Sequence, residues 1–348
     1  MVSPSKLSDP SGKSASSAST SSRPPSTSSS SSSRAARAQF RAELEAQDGS
    51  LILDDTFQVE DFVNGGLHGL VYKGVDLRSG SRCAIKIAFP SDQQTAFEAV
   101  VLARLEKSPF TADFIYSALG VRPYRYLVFS EEGIDLAALQ KPFSDINLPL
   151  DFPRTLVILH DIVQGLEFLH KKGVIHRDLH QRNVLLSRSQ GKRRVVLCDF
   201  GLSAIRRSDG TFQCQRNNSL LGSVFSTPLF VKKGSDHCET DDLYSVVYLT
   251  LLMRDSKLAA VPEKKVLRMK KDLFFRLDKT LPKEEKMFHA FFRCVFDQSR
   301  GTMPDHQTVL RSITAIEGYN DRIDVSLPDP LPFPLTVNDL KARVSVFP

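Results

Sequence analysis

The chain is poor in what a secreted, metal-stapled or membrane-embedded protein needs. Its five cysteines (Cys83, Cys198, Cys214, Cys238, Cys294) are scattered among 348 residues with no CxxC pair. That spacing argues against a zinc site or a disulfide framework and fits a reducing compartment. There is no tryptophan. The longest apolar-rich run, 246–253 with its flanks, is too short to span a bilayer and reads as a buried helix. No apolar core of a secretory signal is visible. Acid is nearly missing from residues 1–41, where Asp9 stands alone against Lys6, Lys13, Arg23, Arg34, Arg37 and Arg41. Most of the formal net charge of +6 belongs to that stretch, and the remainder is close to neutral. A basic balance of this origin says little about nucleic acid, and no such partner is expected.

What is present begins with serine, which fills thirteen of the twenty positions 14–33. Such a stretch cannot bury enough apolar surface to offset its ordering entropy. Residues 1–45 are therefore expected to be a disordered, Ser-rich basic tail, with 36–47 able to form a short helix. Three roles fit it: a solvated tail, a phosphorylated regulatory arm, or an organelle transit peptide. Beyond it, a hydrophobic content of 41% supports a sizeable core in one or two domains.

Residues 175–201 concentrate the chemistry. Ile175-His176-Arg177-Asp178-Leu179-His180-Gln181-Arg182-Asn183 runs into an apolar strand-like segment; after a polar hairpin comes Val195-Val196-Leu197-Cys198-Asp199-Phe200-Gly201. Phosphoryl transfer from a nucleotide needs an acid–base group to hold the attacking hydroxyl and oxygen ligands to hold Mg²⁺ on the phosphates. Asp178 is the candidate for the hydroxyl, and Asn183 and Asp199 are the candidate metal ligands. The order His-Arg-Asp, Asn five residues on, then Asp-Phe-Gly resembles the catalytic and metal loops of the eukaryotic protein kinase superfamily.

The upstream segments extend the resemblance. Val63-Asn64-Gly65-Gly66-Leu67-His68-Gly69-Leu70-Val71 is a Gly-rich turn between strand-like runs. Glycines there let backbone amides approach phosphate oxygens. Against the family pattern, Gly66, Gly69 and Val71 match, while Asn64 stands where the first glycine belongs, with Gly65 beside it. Cys83-Ala84-Ile85-Lys86-Ile87 alternates like a half-buried strand. The family's strand lysine contacts the phosphates, which implies that role for Lys86. On the next helix, Glu98 shares a stripe with Val101, Leu102 and Leu105. A carboxylate there wants a partner, and Lys86 is the one the resemblance implies. It further makes Phe129 the gatekeeper, gives residues 130–133 backbone contacts to adenine, and puts Asn64, Gly65, Gly66, Gly69, Val71, Ala84, Lys86 and Glu131 around the nucleotide. Leu156, Leu159, Ile162, Val163, Leu166 and Leu169 repeat at helical spacing.

Downstream, residues 202–229 are Ser/Thr-rich (Ser208, Thr211, Ser219, Ser223, Ser226, Thr227) and read as a mobile activation segment whose phosphate Arg177 could pair. Residues 187–194 read as a solvated basic turn, and Cys198 as packing on the pocket floor. Gly222-Ser223 resembles the opening of the substrate-docking loop. Pro228-Leu229-Phe230 replaces the usual Ala-Pro-Glu, so Arg300, which matches the position of the arginine that pairs with that glutamate, is expected to lack its partner. Asp242 is expected to anchor the catalytic-loop backbone, and helices are expected over 243–253, 264–277, 283–297 and 304–316.

The fold implied is α+β and bilobal: a small antiparallel β lobe with one helix, and a larger, mainly helical lobe, over 56–316, with a Pro-rich extension at 317–348. The activity implied is ATP-dependent phosphoryl transfer to protein serine or threonine hydroxyls, with ATP and Mg²⁺ as cofactors, a protein substrate as partner, and Lys86, Glu98, Asp178, His180 and Asn183 as the catalytic set. Two other readings remain. His180, where Ser/Thr kinases usually carry lysine, resembles enzymes that phosphorylate small alcohols. Asn64, His180 and the absent Ala-Pro-Glu suit an ATP-binding pseudokinase scaffold, although each metal ligand and the base are present. A cytoplasmic or nuclear location is expected, and nothing sets an oligomeric state.

Overall fold

The computed structural model describes residues 28–47, 51–66, 68–120, 123–145, 147–187, 194–214, 225 and 227–325. The chain divides into two units, Met1–Ala46 and Gln47–Pro348. In the first, helix α1 (Ser28–Glu45) begins inside the serine-rich stretch assigned above to a disordered tail. Gln39–Glu43 (3.0 Å) and Arg41–Glu45 (2.6 Å) pairs support its second half, and once nucleated a helix extends at little cost per residue.

The second unit opens with a six-stranded antiparallel sheet: β1 (Ile52–Leu53), β2 (Phe57–Gly65), β3 (Gly69–Asp76), β4 (Ser81–Ala88), β5 (Phe114–Ala118) and β6 (Tyr126–Ser130), in the order β1-β2-β3-β4-β6-β5. The sheet starts before residue 56, since β1 pairs with Phe57 and Gln58. Cys83, Ile85 and Ile87 of β4 are fully buried on one face, so Lys86 projects from the other. One helix, α2 (Gln94–Leu105), packs here and buries Glu98, Val101, Leu102 and Leu105. Gly69 is fixed by packing: any Cβ on it would collide with the Ile87 carbonyl across the β3–β4 ladder. Gly66 faces open space.

The larger part is helical: α3 (Leu136–Asp145), α4 (Phe152–Lys171), α5 (Leu229–Lys232), α6 (Glu239–Arg254), α7 (Glu263–Thr280), α8 (His289–Phe296) and α9 (His306–Thr314). Asp151 caps α4 by accepting from the Arg154 amide at 3.1 Å, with Pro153 in the first turn. The six apolar residues read as helical on α4 are all fully buried. α6 is buried on every side, as an all-round apolar helix must be. Residues 283–297 split into a 3₁₀ turn, Lys283–Phe288, and α8. The domain also runs past residue 316: Tyr319 packs on His160 with ring centroids 5.3 Å apart, and Val325 is buried. Among the described residues, no helix is long and apolar enough to cross a membrane.

Short strands carry the loops. After β7 (Val174–Ile175), β8 (Val184–Leu186) pairs antiparallel with β9 (Val195–Leu197), Val184 opposite Leu197. Two further strands, β10 (Ala204–Arg206) and β11 (Phe212–Gln213), form a sheet with β7, so the start of the expected mobile segment is a β-hairpin whose exposed turn holds Ser208 and Thr211. Ser219, Gly222, Ser223 and Ser226, most of the basic turn, and the Pro-rich stretch lie outside the described residues. Arg194, the end of that turn, is held by Asp161 at 2.7 Å and Asp321 at 2.8 Å rather than solvated.

Candidate active site

The β8–β9 hairpin brings the two catalytic segments side by side. The Cys198 amide donates to the Asn183 carbonyl at 3.1 Å, so Asn183 and Asp199 arrive on one edge although sixteen residues separate them. Lys86 reaches this edge from β4. Its Nζ lies 2.7 Å from Glu98 Oε2 and 2.8 Å from Asp199 Oδ1. Burial disfavours the ammonium, but Asp199 and Glu98 outweigh it and hold its pKa above the ordinary range. Burial also opposes ionisation of Asp199, yet Lys86 draws that pKa down to about 2. Burial pushes Glu98 upward against Lys86. Within this coupled triad the lysine's direction decides the chemistry, because the ammonium stays charged between two carboxylates.

The catalytic loop is fixed from below. Asp242, at the start of α6, accepts from the His176 amide (2.7 Å), the Arg177 amide (2.9 Å) and His170 Nε2 (3.0 Å). Arg177 needs that support, since its φ is 70°. Burial raises the cost of the Asp242 charge, but His170 and the backbone amides hold its pKa below the usual range. Asn183 Nδ2 donates to the Asp178 carbonyl at 2.9 Å, which orients the amide and leaves Oδ1 for a cation. Asp178 Oδ1 has no hydrogen-bond partner among the described residues, as an atom waiting for a substrate hydroxyl would not. His180 Nε2 sits 3.5 Å from Asp178 Oδ2, and its Nδ1 accepts from the Arg182 amide at 3.2 Å.

A cavity of about 480 Å³ opens above this edge, and Asn64, Gly66, Gly69, Val71, Ala84, Lys86, Glu98, Glu131, Asn183 and Asp199 all line it. Phe129 and residues 130–133 form part of the wall. Gly65 does not; its Cα faces the Leu70 and Phe62 side chains. Asp178 and His180 lie outside the wall and join it through Asn183. Cys198 lines the floor, with its thiol pushed up by burial and therefore unreactive.

Three features escaped sequence reasoning. Arg182 crosses the cleft mouth to Asn64 Oδ1 at 3.5 Å. His68 folds into the cavity wall and pairs with Asp92. Arg300 does have a carboxylate: Asp241 takes its Nη2 at 2.6 Å and its Nε at 3.1 Å, while its guanidinium lies 5.2 Å over the Phe230 ring. Adjacent acids Asp241 and Asp242 were the available signal, because only one of them can serve the catalytic loop.

The donor set suits a small hard cation. Asp199 and Asn183 offer two oxygens, and among the described residues no cluster of three or more His, Cys, Asp or Glu side chains could cage a metal alone. Mg²⁺ prefers such partial protein sites completed by phosphate and water.

Comparison with known proteins agrees with this geometry. The protein kinase domain model matches residues 57–296. "Serine/threonine-protein kinase pkn2" of Myxococcus xanthus is 29% identical over 221 residues, covering 60% of this chain and 25% of that protein. "MAP3K epsilon protein kinase 1" of Arabidopsis thaliana is 28% identical over 212 residues, 57% and 14%. "Dual specificity testis-specific protein kinase 1" of Rattus norvegicus is 31% identical over 172 residues, 49% and 26%. The chain thus spans about a quarter or less of the length of these relatives. With a family model over more than half its length, and with the lysine, carboxylates and amide of that family gathered on one cleft, the chain belongs to the protein kinase domain family.

Proposed function

We propose that the chain transfers the terminal phosphate of ATP to serine or threonine hydroxyls of proteins. The observation that carries the reading is the Lys86 ammonium held between Glu98 and Asp199 on a cavity that also receives Asn183. Lys86 neutralises phosphate charge, and Glu98 fixes where that charge stands. Asp178, oriented through Asn183 and the Asp242-braced backbone, accepts the proton of the attacking hydroxyl. Asn183 and Asp199 would hold Mg²⁺, which when bound offsets negative charge on the phosphates. The five cysteines, none in a CxxC pair, fit a reducing compartment, and we place the protein in the cytoplasm or nucleus on that ground.

Replacing Asp178 by Asn tests the roles. A lost general base costs roughly 10²–10⁴-fold, about 3–5 kcal/mol of barrier. Asp178→Asn should bind ATP as the wild type does and lose turnover by that factor on a peptide array. Comparable turnover would remove Asp178 from the mechanism. His180, 3.5 Å from the Asp178 carboxylate, favours a second reading in which a small alcohol is the acceptor. Transfer to small alcohols but not to protein decides for it.

A further inference from the structure

His68 belongs to the Gly-rich turn between β2 and β3, a segment expected to act through its backbone. Its side chain is only 8% exposed, and Nδ1 lies 2.9 Å from Asp92 Oδ1. The Phe89 amide donates to the His68 carbonyl at 3.1 Å, so both backbone and ring are tied down. Nε2 is buried without a hydrogen-bond partner among the described residues. A buried ring nitrogen left unsatisfied carries a cost unless something else completes it. That something lies on the cavity side. A side chain at Gly201 would begin 3.6 Å from His68 Cδ2, 3.3 Å from Asp199 Oδ1 and 3.5 Å from Glu98 Oε2. The ring edge bearing Nε2 therefore approaches the same glycine as the carboxylates that close round Lys86, and all three side chains line the cavity.

We propose that His68 is a phosphate-contacting side chain of this cleft: Nε2 donates to an oxygen at the β–γ end of a nucleoside triphosphate while Asp92 holds Nδ1–H. A ring that donates from both nitrogens has a matching acceptor on each side here, a carboxylate on Nδ1 and a phosphate oxygen on Nε2. Burial opposes the Asp92 charge, but hydrogen bonds from His68 and Thr95 keep its pKa near 2, so the anchoring anion is present at neutral pH. The contact has a second consequence. Asp92 Oδ2 also accepts from the Thr95 amide (2.9 Å) and hydroxyl (2.7 Å) in the first turn of α2. α2 carries Glu98. A phosphate that seats His68 thereby steadies, through Asp92, the helix that positions Lys86.

The inference rests on the nucleotide reading of the cleft, and one titration series separates the two. Calorimetry would follow adenosine and a non-hydrolysable ATP analogue with Mg²⁺ on wild type, His68→Phe, His68→Gln and Asp92→Asn, each checked for folding by circular dichroism. A hydrogen bond to a charged group is worth enough for a loss of about ten- to a hundredfold. His68→Phe should lose that much affinity for the triphosphate and keep its affinity for adenosine. His68→Gln, which retains a donor, should recover part of it, and Asp92→Asn should fall between. Equal losses for adenosine and triphosphate would make His68 a structural brace only, and no loss for either would remove it; both overturn the proposal while sparing the nucleotide reading. Failure of wild type to bind either ligand would overturn both.

Discussion

Two buried ammonium groups define two regions of this kinase domain. Lys86 in the nucleotide cleft lies between two carboxylates, which hold its pKa above the ordinary range. Lys270, on α7, is fully buried, donates to the Thr227 carbonyl, and lies 4.3 Å over the Tyr248 ring and 5.8 Å over the Phe225 ring. Burial and the neighbouring Lys232 push its pKa down to about 7. Depth is similar; the sign of the shift follows from what faces the charge. The cleft keeps a permanent cation to meet phosphate. The second region uses a lysine that can shed its proton and still donate to the Thr227 carbonyl.

The largest effect should come from breaking the first site. Lys86→Met leaves Glu98, 2% exposed, beside Asp199 without the ammonium. Removing one partner of a buried pair costs about 3–5 kcal/mol, so the urea midpoint should fall markedly, together with loss of turnover. An unchanged midpoint would mean that the triad is not a stabilising unit.

The same substitution at Lys270 should behave in the opposite way. Its folded pKa lies below the ordinary 10.5, so between about 7 and 10.5 the unfolded chain binds the extra proton and stability rises with pH. One group contributes a slope of at most about 1.4 kcal/mol per pH unit. Lys270→Met should abolish that part of the slope between pH 7 and pH 10, read as the difference in urea midpoint from wild type. The Tyr248 and Phe225 ring faces favour the charged form. A variant with the wild-type slope would show that they prevail and that the two lysines are alike.

Next in size is a second contact near that lysine, the Arg300 guanidinium 5.2 Å over the Phe230 ring. Asp241 is fully buried and Arg300 supplies its two charged hydrogen bonds. Arg300→Ala should cost about 1.5–3 kcal/mol and raise KM for a protein substrate while leaving KM for ATP alone. A parallel rise in both constants would deny that the loop floor and the cleft are separate units.

These regions also differed in how far sequence could reach. Asp178, Asn183 and Asp199 sit in short motifs, and Lys86 and Glu98, twelve residues apart, follow from strand alternation and a carboxylate on an apolar helix stripe. The same stripe argument was available on α7, where Val266, Lys270, Leu273 and Leu277 share the buried face. It was hidden by the run of exposed lysines around it. The Arg300–Asp241 and Lys270–Thr227 contacts join residues 59 and 43 positions apart, so only tertiary packing brings them together. His68 carried no spacing signal, because glycines on either side drew attention to the backbone.

The smallest effect tests a departure from the family pattern that lines the cavity itself. Asn64 replaces the family's first glycine, and its Oδ1 accepts from the Gly65 amide at 2.9 Å and lies 3.5 Å from Arg182 Nη1. The second contact is at the limit of a hydrogen bond and exposed to water, which competes for both groups. Its net worth is accordingly a few tenths of a kcal/mol, near the low end for exposed polar pairs. Asn64→Gly also frees the backbone at that position, an entropic cost of about 0.5–1 kcal/mol in a strand. These terms are small beside the Lys86 triad. KM for ATP should change by no more than about threefold in Asn64→Gly, with kcat unchanged. A tenfold loss would make the Arg182–Asn64 bridge a working part of the nucleotide site, and the contrast between a locally encoded cleft and a tertiary loop floor would weaken accordingly.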